Sequence, residues 1–491
     1  MKLAKIAAAL LAAGLATPAL SGPNDAALLE KLAARMEKLE RRNNELEKEV
    51  KALKGENDKI NQALDSPRLS ENEPELTVRL KAVEKDTLNM QKAVKIAEGL
   101  DGIKIGASLA TVVQSASGLP KGVENGSSQL NYRADVSVEL PLKPVGDIEH
   151  KLFAHMRLGQ GLGLNSTLSN NGNFANTPNS LAFRASGASP DDSVAILGQA
   201  WYQAAIPLPF LGFRPYSREK LELTFGKMDI FGFFDQNAVA GDESKRFLNS
   251  VFVHNPLLDA GREVGVDANG FQPGFVASYL NYFDRLQPWR LSLGIFGTGA
   301  RGANYQHSLS SPLLMAQAEQ QLKLFGGLTG NYRVYGWTRG QGVDFDSTVS
   351  KHTGVGASFD QRIGDGVTVF GRYGKMLKGE LPFNQSVTAG AEFSGAYWNR
   401  GADSIGFAAA WLKSGKAYQA STATAWLDDN HTQSAFSFTP QGAEKLTELF
   451  YRYRLSPQFE LSPDFQYISN SGGNAEAKPI KVIAVRANIS Y

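Results

Sequence analysis

Strict alternation between Leu130 and Leu140 is the feature that most constrains this chain: every even position is apolar, and every odd position from Asn131 to Glu139 is polar. A period of two places successive side chains on opposite faces of a β-strand, so the segment predicts a strand with one apolar face and one wet face. Turn-rich stretches separate further segments of this kind. The alternation recurs, less strictly, in residues 151–159, 221–226, 289–296, 367–373, 447–455 and 483–491.

The beginning of the chain helps to choose between a soluble β-sandwich and a membrane barrel, because both show this alternation. Residues 1–21 combine a basic start at Lys2 and Lys5, an apolar run from Ile6 to Leu15, and small residues at Ala19 and Ser21 suited to a cleavage site. This pattern predicts a secretory signal peptide, since the apolar run is shorter than the roughly 20 residues of a membrane-spanning helix. Export, many amphipathic strands and the aromatic last residue, Tyr491, together favour an outer-membrane β-barrel.

The length of the strand-rich region gives an estimate of the size of the barrel. If each strand with its share of loops takes about 24 residues, residues 101–491 form about 16 antiparallel strands, and 18 strands remain an alternative. The predicted fold is therefore an all-β transmembrane barrel that is preceded by an α-helical coiled coil.

Residues 22–100 carry the pattern that predicts this coiled coil. Apolar residues step by three and four over five heptads, with Asn43 and Asn57 at two further positions of the same seam. Asp65-Ser66-Pro67 breaks the pattern before a second, shorter stretch. We expect a periplasmic stalk that associates with other copies of itself, with the number of strands left open. The seam residues are Leu29, Leu32, Met36, Leu39, Leu46, Val50, Leu53, Ile60 and Leu64.

Charge and composition exclude several classes of function. The chain has 51 basic and 49 acidic residues, a formal net charge of +2, so it lacks the single-sign field of a nucleic-acid-binding protein. It contains no cysteine, which excludes thiolate catalysis and thiolate metal sites. There is also no Gly-x-Ser-x-Gly elbow. We therefore predict a protein that is not an enzyme and needs neither a cofactor nor a metal.

If the apolar strand faces meet lipid, the opposite faces line the lumen of the barrel. A wall with charges of both signs and aromatic side chains such as Tyr335 and Trp337 can hydrogen-bond to hydroxyls and stack on sugar rings. It does so without favouring ions of one sign. The charged residues on this predicted face are Arg133, Arg157, Arg290, Arg333, Arg372, Arg452, Arg454, Arg486, Asp135, Glu139, Glu222, Glu448, Glu460 and Asp464.

Two parts of the barrel region carry motifs similar to those of a known family. The first contains Phe225-Gly226-Lys227-Met228-Asp229-Ile230, Phe234-Asp235-Gln236-Asn237, Phe247-Leu248-Asn249 and Asn255-Pro256. The second contains Tyr451-Arg452-Tyr453-Arg454-Leu455-Ser456-Pro457, residues 461–468 and Gly472-Gly473-Asn474. In this order they resemble the carbohydrate-selective porins, the OprB-type outer-membrane proteins. The resemblance implies a barrel of about 16 strands that admits glucose and similar sugars through a constriction lined by Arg and acidic side chains.

Nine residues are the candidates for contact with a sugar. Five are predicted on the wall as hydrogen-bonding groups: Arg157, Arg372, Glu448, Arg452 and Asp464. Four more, Lys227, Asp229, Asp235 and Asn237, come from the family-like segment, and an alternative is that they fold a loop into the lumen.

The leading functional hypothesis is passive diffusion of small sugars or oligosaccharides through the outer membrane, with membrane lipid around the barrel. Two alternatives stay open. One is a general, weakly ion-selective porin. The other is a structural protein that joins the outer membrane to the cell wall through its coiled coil, as some family members with an amino-terminal extension do.

Overall fold

A computed structural model describes residues 102–119, 128–164, 168, 177–183, 192–209, 217–259, 270–298, 308–427 and 440–491, together with some positions between 41 and 55. Those positions between 41 and 55 are helical and exposed. The signal peptide and most of the predicted coiled coil lie outside the described residues, so both stay predictions.

The described residues of the barrel region form sixteen antiparallel strands in one closed sheet, in which each strand pairs with its neighbours in sequence and β1 pairs with β16. Closure is completed by main-chain hydrogen bonds between Ala107 and Tyr491, at 2.8 and 3.2 Å. The predicted barrel and its strand number are confirmed. The strands are β1 (Lys104–Ser117), β2 (Ser128–Val145), β3 (Ile148–Gln160), β4 (Val194–Pro207), β5 (Glu219–Met228), β6 (Gln272–Asn281), β7 (Trp289–Phe296), β8 (Leu313–Leu324), β9 (Leu328–Val343), β10 (Val349–Gly364), β11 (Val367–Lys378), β12 (Phe383–Ser394), β13 (Ser404–Ser414), β14 (Ala443–Arg454), β15 (Phe459–Ser469) and β16 (Ile480–Ser490).

The two faces of each strand differ as the alternation predicts. On β2, Leu130 is 60% exposed on the outside of the barrel, whereas Arg133 is 5% exposed inside it. Val113 of β1 and Ile483 of β16 belong to the same outer apolar surface. An apolar outer band suits lipid, and the polar residues are left to the lumen.

The two ends of the barrel also differ. Short turns such as 146–147 and 365–366 lie at the end where β1 begins and Tyr491 is located. Long connections lie at the other end, including 161–193, 229–271 and 415–442, the last of which contains helix α2 (Lys416–Leu427). In outer-membrane barrels the short turns face the periplasm and the long loops face outward. Among the described residues, no helix is long and apolar enough to cross a membrane.

Two glycines of β10 make room for aromatic side chains inside the barrel. Gly354 pairs with Trp337 of β9, and Gly356 pairs with Tyr335. A Cβ atom on Gly356 would lie 2.3 Å from the Tyr335 ring, so an alanine there would collide with it. The glycine therefore lets the Tyr335 ring lie flat along the wall, with its hydroxyl directed toward the connection between β5 and β6.

Candidate functional site

The long connection between β5 and β6 folds into the lumen, and its described part, residues 229–259, is called the inner loop here. Apolar side chains that would be unfavourable in a water-filled pore are fully buried in it, including Phe234, Phe247 and Phe252. Phe247 packs edge-on against Phe450 of β14, with ring centroids 4.9 Å apart, and lies 5.5 Å from Phe370 of β11. The inner loop thus has an apolar core that it shares with the barrel wall.

A short helix inside the inner loop is fixed by its own cap. Helix α1 (Ser250–Val253) begins after Asn249, whose side-chain oxygen accepts the N–H of Val251 at 3.1 Å. Asn is a favoured residue at this position because its side chain satisfies a main-chain donor that the helix leaves free. The Asn249 amide also donates to Gln466 of β15, at 3.0 Å. Asn249 therefore caps the first turn of α1 and also attaches the helix to the barrel wall.

Arg372 of β11 holds the inner loop from one side. Its Nη1 donates to the carbonyl of Phe252 at 2.6 Å, and its Nη2 donates to the carbonyls of Ala240 and Asp235 at 2.6 and 3.2 Å. Its Nε lies 3.1 and 3.0 Å from the two carboxylate oxygens of Asp235. Arg372 is 3% exposed, so its guanidinium is occupied by the protein and shielded from solvent.

Two further buried side chains, on β14 and β16, hold other points of the loop. Glu448 of β14 accepts the main-chain N–H groups of Leu248 and Asn249. Arg486 of β16 donates to the carbonyls of Glu243 and Arg246, at 2.7 and 2.6 Å. Hydrogen bonds from a guanidinium are short and strong, and the Glu448 carboxyl group supplies acceptors for two buried N–H groups, so these contacts fix the loop backbone.

A second segment, residues 177–183 of the connection between β3 and β4, enters the lumen beside the inner loop. Ser180 N–H donates to the carbonyl of Leu248 at 2.8 Å, and Ser250 N–H donates to Thr177 at 3.1 Å. Leu248 and Leu181 form an apolar cluster with Ala110, Val112 and Ala484. Side chains therefore fill the lumen next to β1 and β16.

Residues 243–246 of the inner loop cross the lumen and are called the crossbar. Glu243 accepts Arg133 of β2 at 2.9 Å, and Arg246 donates to Glu392 of β12, also at 2.9 Å. Side chains of the crossbar are partly exposed, with Glu243 at 20% and Arg246 at 25%. The crossbar thus carries one charge of each sign to two well-separated parts of the wall and leaves both accessible to solvent.

A compact charge cluster lies on the wall beside the crossbar. Asp135 of β2 accepts Arg133 and Arg157, both at 2.7 Å, and hydrogen-bonds to His155 at 2.8 Å. With Glu243, the cluster contains two guanidinium groups and two carboxylates. Its formal charges cancel when the histidine is neutral, so it offers hydrogen-bonding groups without a strong net field.

Aromatic faces border this cluster. Trp201 of β4 stacks on Phe153 of β3 with ring centroids 4.7 Å apart, and Phe233 of the inner loop meets Trp201 edge-on at 6.0 Å. The guanidinium of Arg157 lies over the Phe271 ring, 5.0 Å from its centroid. The site therefore combines flat apolar surfaces with charged donors and acceptors.

The nine sequence candidates fall into groups with different surroundings. Arg157 lies in the charge cluster. Arg452 lies half-buried on β14, where its charge acts on Glu392, and its guanidinium makes no hydrogen bond to another described residue. Asp464, on β15, is buried and accepts Gln466 at 3.1 Å. Lys227 donates to the carbonyl of Leu197 at 3.0 Å.

The other five candidates shape the inner loop. Arg372 and Glu448 hold it to the wall, as described above. Asp229 accepts the N–H of Phe231 at 2.9 Å and so caps the 3-10 turn Ile230–Gly232. Asn237 donates to the carbonyl of Phe359 at 3.0 Å, and Asp235 is the partner of Arg372. These contacts match the alternative in which the family-like segment folds a loop inward, and contact of any of the nine with sugar stays a prediction.

Sequence reasoning did not select Glu243, Arg246 or Glu392 as candidates. One signal was present: Glu243 and Arg246 belong to a charged stretch, residues 242–246, between two segments rich in apolar residues, 230–234 and 247–253. Charges in such a connection indicate ion pairs with a wall or exposure to a water-filled space. Their partners lie on β2 and β12, and no local pattern identifies them.

Comparison with known proteins gave one family and a set of related folds. The family model described as carbohydrate-selective porin, OprB family, matches residues 184–491. The high-pH structure of OprB from Pseudomonas putida is similar at 18% identity and a TM-score of 0.63, over 81% of this chain and 96% of that chain. Its low-pH structure is similar at 14% identity and a TM-score of 0.44, over 81% of this chain and 95% of that chain. A mutant of the Rh. blastica porin is similar at 10% identity and a TM-score of 0.42, over 79% of this chain and 100% of that chain. No curated protein sequence matched.

Proposed function

This chain belongs to the carbohydrate-selective porin family of the OprB type, and from that premise we propose that it lets small sugars diffuse passively across the outer membrane. The observation that carries the proposal is the crossbar with its charge cluster. An inward loop narrows a closed barrel, and the accessible groups beside it are paired charges of both signs. A neutral, hydroxyl-rich solute suits such a surface better than an ion of either sign does.

The chemistry of the site explains this preference. A sugar hydroxyl both donates and accepts hydrogen bonds, so it can exchange its water partners for guanidinium donors and carboxylate acceptors. An ion instead gives up hydration next to a cluster whose charges cancel, and it gains little in return. Weak binding of this kind lets a sugar enter and also leave, as diffusion requires.

Arg157 and Arg452 are proposed to make the main donor contacts with the sugar. Arg157 is 15% exposed in the charge cluster, with its guanidinium over the Phe271 ring. Arg452 is half-buried on β14; its charge acts on Glu392, its Nε is buried, and its two Nη groups are the donors proposed for the sugar. A planar guanidinium can donate to two adjacent hydroxyls at once.

Replacing Arg452 tests this proposal. We expect Arg452→Ala to raise the glucose concentration that half-blocks the ion current by about tenfold, since one hydrogen bond to a charged group contributes about 1.5 kcal/mol. Arg452→Lys should give an intermediate half-blocking concentration, because lysine keeps the positive charge but lacks the planar pair of N–H donors. Arg362→Ala, at an exposed position of β10, serves as the control. Equal block in wild type and Arg452→Ala would contradict the assignment.

We further propose that residues 1–21 are a signal peptide, residues 22–100 a periplasmic coiled-coil stalk and residues 101–491 the porin domain. The heptad seam and the helical positions between 41 and 55 support the stalk. The chain enters β1 at the end with the short turns, which supports a periplasmic location. Deleting residues 22–98 should leave sugar flux intact and abolish chemical cross-linking between copies. Unchanged cross-linking would contradict association through the stalk.

A further inference from the structure

We infer that Arg372 is a positioning residue, which sets the width of the pore by holding the inner loop and does not itself contact the sugar. All three of its nitrogens are used by the protein. They meet the Asp235 carboxylate and the carbonyls of Asp235, Ala240 and Phe252. One side chain thus joins three points of the inner loop, at residues 235, 240 and 252.

Asp235 is built to receive this arginine. Besides Arg372, its carboxylate accepts the hydroxyl of Tyr335 at 2.9 Å and the main-chain N–H of Asn255 at 2.7 Å. The contact with Asn255 closes the loop on itself over 20 residues. Asp235 also has a left-handed backbone, with φ of 51°, a conformation that Asp tolerates better than most residues do. The carboxylate therefore ties the two arms of the loop to each other and to β9.

Burial argues against a direct role of Arg372 in binding sugar. Arg372 is 3% exposed and Asp235 is 1% exposed, so a solute in the lumen meets neither. A buried ion pair of this kind is strongly destabilised when one partner is removed, because the remaining charge stays uncompensated. The expected result of removing Arg372 is thus a displaced loop.

The ion pair of Arg372 and Asp235 also bears on the position of the crossbar. Arg372 holds the carbonyl of Ala240, three residues before Glu243, and the carbonyl of Phe252, six residues after Arg246. It therefore fixes the chain on both sides of the crossbar. From β16, Arg486 holds the carbonyls of the crossbar itself. If the Arg372 contacts are lost, the chain on both sides of the crossbar loses its anchor on β11, while the crossbar keeps its own contacts with β2, β12 and β16. The loosened loop then makes the passage beside the crossbar wider and more variable.

Ion current through single channels tests the inference without sugar, so the result is independent of the proposed sugar function. We expect Arg372→Met and Asp235→Asn to raise the open-channel conductance by roughly twofold and to increase current noise, because conductance follows the cross-section of the constriction. The conductance of Arg372→Lys should lie between that of these two variants and that of wild type. An ammonium group can pair with Asp235 but cannot also donate to all three carbonyls. Arg454→Lys is the control, because this partly buried arginine pairs with Glu460 of β15 and donates to the carbonyl of Pro457, both outside the inner loop.

A probe on the loop separates positioning from a general loss of stability. The chain has no cysteine, so Ala238→Cys, at an exposed position of the inner loop, can be labelled alone with a nitroxide. Its spectrum should show greater motion in the Arg372 and Asp235 variants and no change with Arg454→Lys. If Arg372→Met yields no folded barrel, Asp235→Asn and Arg372→Lys carry the test. Unchanged conductance and label motion in these variants, with weaker sugar block alone, would overturn the inference and make Arg372 a sugar contact.

Discussion

Glu448 shows how a charged residue on the lumen face can serve the structure instead of the solute. It lies buried on β14 and accepts N–H groups from Leu248 and Asn249, which precede it by 200 and 199 residues. Leu248 and Asn249 are the two residues before α1, and their N–H groups are buried in the lumen, where each needs an acceptor.

Removing this acceptor gives a prediction at the scale of one residue. Glu448→Ala should lower the free energy of unfolding by about 1–3 kcal/mol for each buried N–H left without a partner. Glu448→Gln should cost less, since the amide oxygen still accepts one of them. Urea unfolding in detergent, followed by tryptophan fluorescence, measures the difference. A Glu448→Ala barrel as stable as wild type would show that the two N–H groups find other partners.

The same residues show what sequence can predict at this scale. The alternation along β11 and β14 placed Arg372 and Glu448 on the inner face, and both are there. The alternation did not distinguish Arg372 and Glu448, which hold the inner loop, from Arg157 and Arg452, whose surroundings are more open. The difference depends on partners more than 100 residues away, such as Asp235 for Arg372, and local periodicity contains no information about them.

At the scale of elements, the inner loop depends on how β9 and β10 pack under it. Tyr335 of β9 donates to Asp235 and also accepts the Asn255 amide at 2.8 Å. Its ring lies flat because its cross-strand neighbour is Gly356. A pairing between two wall strands therefore determines where the loop is held.

Substituting this glycine gives a prediction with a close control. In Gly356→Ala the new Cβ would lie 2.3 Å from the Tyr335 ring, so the ring must move and its bond to Asp235 is lost. We expect a cost of about 1–3 kcal/mol, as for overpacking elsewhere, and faster hydrogen exchange in the inner loop. Gly336→Ala should be nearly neutral, because its Cβ would have no neighbour closer than 3.6 Å. Equal effects of the two variants would contradict this account.

The elements differ in how far sequence predicts them. Each of the seven alternating segments lies within or largely overlaps an observed strand, and residues 289–296 match β7 at both ends. The inner loop was given as one of two alternatives, since apolar residues in a connection signal burial but not the surface that buries them. That surface comes from strands on several sides of the barrel, including β4 at Trp201, β7 at Phe296 and β14 at Phe450, which come together only when the barrel closes.

At the scale of the whole molecule, chain length and period together predicted a barrel of sixteen strands. Each strand of a closed sheet satisfies the main-chain groups of its neighbours, which a membrane requires of every spanning segment. The pairing of β1 with β16 and the Ala107–Tyr491 hydrogen bonds complete that requirement. The narrowing of the lumen was less predictable, because it depends on two inward segments that meet next to β1 and β16.

The most direct test of the account is single-channel conductance of the full chain in a planar bilayer, with glucose and short glucans added stepwise. A polar constriction whose charges are paired predicts that sugars block the ion current in a saturable, concentration-dependent manner, with little preference between cations and anions. A steady ohmic current that sugars do not change would contradict the account and indicate a general pore.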